Sequence, residues 1–115
     1  MKFAVPMIPP SDNQFKGRQN VWEYRELKKQ WLDAVMLLCR PKPQKPALKA
    51  EVTLTYFFKD KRRHDPDNYA GKFILDGLVR GGILADDSFD NVELRLKGGY
   101  DPKNPRTEVE IIEIP

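Results

Sequence analysis

One cysteine and one histidine are all that 115 residues provide of thiolate and imidazole metal ligands. A lone Cys39 can close no disulfide framework and no zinc cluster within the chain. No run of about 18 apolar residues is present, so no segment has the composition of a membrane-spanning helix. The opening stretch "MKFAVPMIPP" is broken by prolines and lacks the long apolar core of a secretory leader. A cytoplasmic protein is the natural expectation. There is also no internal repeat and no low-complexity tract, and the length suits a single domain, residues 1–115, with a real core.

Charge, by contrast, is plentiful. Twenty basic and 17 acidic residues leave a net charge of +3, which by itself argues only weakly for nucleic acid. The distribution says more. "KDKRRH" at residues 59–64 is locally basic, and acids gather just after it. A basic rim around an acidic centre is what a metal-dependent nuclease requires, because cations hold phosphates while carboxylates hold the metal. A solvated charged surface is the competing explanation.

Periodicity orders the rest of the chain. "KFAVPMI" reads as a short strand, and Pro6 suits a sheet edge. Residues 9–19 read as a loop. A helix is expected over residues 21–39, with Asn20 and Glu23 spaced as a capping box and Pro41 as the stop. Its apolar stripe is Val21, Tyr24, Leu27, Trp31, Val35 and Leu38. Trp31 and Cys39 are expected to be buried. "RPKPQKP" is a stiff basic connection, and "LKAEVTLTYFFK" alternates as a strand. From Asp67 or Asn68 to Arg80 a second helix is expected, with Asp65 or Asn68 as its cap, Pro66 in its first turn, and Gly81 and Gly82 at its end. Asn68, Lys72, Asp76 and Arg80 would then form one polar stripe. "NVELRLKG" and "RTEVEIIEI" are two closing strands, and the slip at Ile111 and Ile112 suggests a bulge. The order β-α-β-α-β-β predicts a small α+β domain, with a mixed or antiparallel sheet of about four strands and two main helices on one face.

The chemistry concentrates in "RRHDPDN" and "ILADD". Asp65 and Asp67 follow a strand, and Asp86 and Asp87 follow the second helix. A helix of about 13 residues spans about 20 Å, and the "GGILADD" segment is long enough to return along it. If the pairs meet, their mutual repulsion needs a counter-ion. Carboxylates without nearby His or Cys ligands favour magnesium or manganese over zinc. Lys72 could neutralise the scissile phosphate or the leaving oxygen. Lys61, Arg62 and Arg63 are candidate phosphate contacts. The alternative assigns the aspartates to capping and turns. His64 is read as a surface neighbour of the basic run rather than as a general base.

At "DPDNYAGKFILDGLVRGGILADD" the sequence resembles the RusA family of Holliday junction resolvases of bacteria and their phages. The family pattern is Asp-x-Asp-Asn, a lysine, Asp-x-Leu, a glycine and a terminal Asp-Asp. Asp65, Asp67, Asn68, Lys72, Asp76, Leu78, Gly81 or Gly82, Asp86 and Asp87 match it in order. The likeness extends to a closing hairpin over "LKGGYDP…EVEIIEI". One departure concerns Lys72, which follows Asp67 by five residues where the family often has four. The extra residue would fall in the irregular stretch 69–71. The resemblance implies an endodeoxyribonuclease that cuts four-way DNA junctions with Mg2+, or Mn2+ in its place. Asp65, Asp67 and Asp87 would be catalytic with Lys72. Asp65, Asp67, Asp86 and Asp87 would hold metal, and Lys61, Arg62, Arg63, Asn68 and Lys72 would hold DNA. It also implies a homodimer, since two symmetric nicks suit two copies of one site. The first helix and the edge strands are candidate interfaces. A nuclease for other branched DNA and a non-catalytic DNA-binding module are the competing readings.

Overall fold

A computed structural model describes residues 1–11 and 21–115. The expected Asn20 cap and most of the loop at 9–19 lie outside the described residues. The elements are β1 (Lys2–Val5), α1 (Val21–Leu38), β2 (Ala50–Phe58), a 3-10 turn (Pro66–Asn68), α2 (Lys72–Arg80), β3 (Val92–Tyr100) and β4 (Arg106–Glu113). The β-α-β-α-β-β order and the α+β class are as the sequence predicts. The four strands form one mixed sheet in the order β1-β4-β2-β3.

The alternation in β2 sends Ala50, Val52, Leu54 and Tyr56 to one face, all buried. Val5, Val92, Val109 and Ile111 join them from the other strands. Trp31 and Val35 of α1, and Phe73, Ile74 and Leu78 of α2, complete this core. The helices pack against each other through Gly77, whose missing side chain admits Val35, and through Tyr24 against Phe73 at 5.4 Å. Cys39 is buried, and burial pushes its thiol pKa up. The ends of the expected α1 stripe, Val21 and Leu38, are exposed instead. Among the described residues, no helix covers the sheet's outer face. It is laced by exposed ion pairs such as Arg95–Glu51 at 3.3 Å, each worth little on its own.

Three expectations are corrected. First, "LKGGYDP…EVEIIEI" is not a hairpin. β2 lies between β3 and β4, parallel to β3 and antiparallel to β4. The most continuously apolar strand, β2, takes one of the two interior places, where both its edges are paired. The β2–α2–β3 unit is then a parallel crossover, and residues 101–105 carry the chain over the end of β2. Asp101 fixes that passage. Its backbone N–H donates to Phe58 O at 2.9 Å. Its carboxylate accepts from the Arg106 guanidinium at 2.8 Å and from two backbone N–H groups. Those donors, Arg106 foremost, hold the Asp101 carboxyl below the usual carboxylate range. Second, β4 has no bulge at Ile111: its register with β2 runs unbroken from Arg106 to Glu113. Ile111 faces the core and Ile112 is simply exposed. Third, α2 begins at Lys72, not at Asp67 or Asn68.

Candidate active site

The third correction shapes the site. Beyond β2 the chain makes a short loop and then one 3-10 turn whose first residue is Pro66. Asp65 precedes the turn in extended conformation, and its side chain makes no capping bond. The residue that caps α2 is Gly71, in the left-handed region at φ 83°. The extra residue between Asp67 and Lys72 is thus absorbed in non-helical chain, and Lys72 opens α2. Asn68 does not belong to the polar stripe. Asp76 does, accepting Arg80 at 3.4 Å and Lys28 of α1 at 3.5 Å. None of the motif's aspartates makes a helix-capping bond, which sets aside capping as their explanation.

What holds the loop is a cluster that sequence reasoning misses. His64 stacks on Phe58 with ring centroids 3.7 Å apart and planes 3° from parallel. Its Nε2 lies 3.2 Å from Asp60, and Tyr69 meets the ring edge-on. His64 is therefore a half-buried peg and not a surface neighbour of the basic run. Asp60 also accepts the Arg62 backbone N–H at 3.1 Å. That bond first, and His64 second, lower the Asp60 carboxyl pKa. The spacing that could have revealed the peg is aromatic: Phe58 ends the strand, and Tyr69 lies five residues past His64.

The expected DNA-binding residues sit on the rim. Arg62 pairs with Asp60 at 3.3 Å and Arg63 with Asp65 at 2.9 Å. Lys61 stands 4.9 Å from the Tyr100 ring. All three are exposed. Asp67 is exposed too, and forms no hydrogen bond with the described residues.

Asp65 and Asp87 line two neighbouring clefts along β3. Asp65 lines the first, with His64, Tyr69, Leu96 and Lys97. Asp87 lines the second, with Ala70, Lys72, Phe89 and Leu94. The strand residues Leu94 and Leu96 that border the two are two apart, about 7 Å along the strand. The structure thus brings Lys72 and Asp87 together, and sets Asp65 next door. Lys97 beside Asp65 is not singled out by sequence, because its place depends on the parallel pairing of β3 with β2. The Asp86–Asp87 loop is anchored from behind. Ala47 N donates to Ile83 O and Ala85 N to Ala47 O, both at 2.9 Å. Asp86 accepts the Asp87 backbone N–H at 2.8 Å. α2 has nine residues, about 14 Å, so the return to β3 is shorter than the sequence required.

The donor set is all oxygen, the chemistry that suits magnesium or manganese. Among the described residues, no three carboxylate, histidine or cysteine side chains converge on one point as ligands. Of the expected quartet, Asp65 lines the first cleft and Asp87 the second. No helix in the described residues is long and apolar enough to cross a membrane.

A family model, Endodeoxyribonuclease RusA, matches residues 7–112. No curated protein matches the chain.

Proposed function

The chain belongs to the RusA endodeoxyribonuclease family, and on that premise we propose that it resolves four-way DNA junctions by paired, magnesium-dependent nicks. It would act as a homodimer in the cytoplasm. The observation that carries this reading is the freedom of the motif's acids from capping, with Lys72 and Asp87 in one cleft. Asp65, Asp67, Asp86 and Asp87 would hold the cation, which supplies a water nucleophile and neutralises charge on the phosphate. Lys72 opens α2, where the helix N-terminus already favours an anion, so its ammonium adds to a field that draws in the scissile phosphate. Asn68 ends the 3-10 turn, and its side-chain amide can donate to the same strand. The His64 peg fixes the loop that carries Asp65, so little ordering remains to be done on binding.

The test is incubation with a synthetic four-way junction, with and without Mg2+. The expected result is symmetric nicks at the branch with Mg2+, and binding without cutting in its absence. Equal cutting of flaps or forks would favour the broader branched-DNA nuclease. Binding without cutting under any divalent cation would leave a DNA-binding module.

Lys61, Arg62 and Arg63 should touch the phosphate backbone. The ion pairs of Arg62 and Arg63 are exposed and weak enough to exchange for phosphates. Changing all three to Ala should weaken junction binding and reduce the slope of log K against log salt by roughly one for each phosphate no longer neutralised. An unchanged slope in a salt titration would reduce the run to solvated surface.

A further inference from the structure

Phe89 is 102% exposed, the most exposed large apolar side chain among the described residues. It sits two residues beyond Asp87 and lines the same cleft as Asp87 and Lys72, a space of about 730 Å³. A phenylalanine held fully in water beside an active-site acid contributes nothing to the core. Its loop, "ADDSFD" at residues 85–90, carries three carboxylates and no cation. Such a loop repels phosphate backbone, and charge of that density is poorly placed at the core of a subunit contact, where charged residues are depleted. The uncharged part of a nucleic acid is the face of a base. The loop is also stiff at its base: Asn91 donates to Leu48 O at 2.8 Å, and Asn91 N and Val92 N both donate to Ser88 O at 3.0 Å. Phe89 is therefore presented on a fixed turn.

We propose that Phe89 is a base-stacking wedge, which takes the face of a nucleobase at the branch point while Lys72 and Asp87 address the adjoining phosphate. This rests on the junction-cutting reading and adds a determinant of branch recognition to it. A branch point is where DNA offers such a face most cheaply, since stacking there is already interrupted. Leu94, partly exposed in the same cleft, gives the inserted base an apolar wall.

The experiment uses a four-way junction with 2-aminopurine at the branch, mixed with the full chain in EDTA, where nothing is cut. Wild type and Phe89→Tyr should both change the 2-aminopurine fluorescence. Phe89→Ala should abolish the change and weaken junction affinity roughly 10- to 100-fold, the range set by removal of one base–aromatic stack. Its melting temperature should match wild type, since the side chain packs on little. A Phe89→Ala protein that gives the wild-type signal and affinity overturns the proposal. So does one whose defect tracks loss of dimer in sedimentation, which would make Phe89 a subunit contact. If wild type binds and cuts junctions but Phe89→Ala does so equally well, only the wedge falls. If wild type binds no junction, the junction reading falls with it.

Discussion

Asp67→Asn is expected to abolish DNA cutting while leaving junction binding intact or slightly tighter. The substitution preserves shape and removes one negative charge. Asp67 is exposed on the 3-10 turn and makes no hydrogen bond to the described residues, so the fold loses nothing with it. If Asp67 ligates the catalytic cation, the loss should exceed about 100-fold, since even a group one shell removed from a metal is worth about 10–100-fold. Binding moves the other way because a carboxylate facing phosphates is repulsive. Single-turnover cutting at saturating Mg2+, a gel-shift titration and a melting curve separate the effects. Cutting at the wild-type rate with unchanged melting would remove Asp67 from the metal site.

Gly71→Ala should cause the largest loss of stability of any single methyl added to the chain near the site. Gly71 caps α2 at φ 83°, where a side chain costs about 1–2 kcal/mol. A Cβ there would also run into Leu54 Cδ1, and Leu54 is fully buried in the central strand. Overpacking of that kind adds about 1–3 kcal/mol. Against a total stability of about 5–15 kcal/mol, the sum should lower the melting temperature by roughly 10–20 °C. Gly82→Ala is the control. It shares the positive φ, at 78°, but its Cβ would meet only the flexible end of Lys42. Calorimetry should find Gly82→Ala clearly milder. Equal losses in both would mean that Leu54 gives way and that backbone strain alone is being measured.

The same glycine explains where sequence reasoning stops. The four-residue spacing from Asn68 to Arg80 looks helical throughout. The chain instead spends Pro66–Asn68 on a 3-10 turn and needs a left-handed residue before α2 can start. Periodicity reports which residues could share a face, and is silent on where the hydrogen bonding begins. β2 is legible because its alternation coincides with a buried and an open face. Its neighbours are not, since alternation fixes the face of a strand and not its partner. Proximity in sequence suggests a closing hairpin, and the Asp101–Arg106 clasp that prevents it spans a loop with no pattern of its own. At the site, the aspartates and Lys72 are recognisable by type and order. The stacking of His64 on Phe58, and the nearness of Lys97 to Asp65, arise only when strand and loop fold back on each other.

The position of β4 bears on how the domain is born. Of the four strands it is the last to be synthesised, yet it lies inside the sheet, with β1 on one side and β2 on the other. Among the described residues, β1 pairs with no other strand. A nascent chain lacking β4 therefore has its first strand unmoored and one edge of its central strand open to any passing extended segment. Vectorial synthesis cannot finish this sheet piece by piece from the N-terminus. The loop that carries Asp65 and Asp67 follows that central strand, so its placement waits for the final strand to slide between two that were made before it.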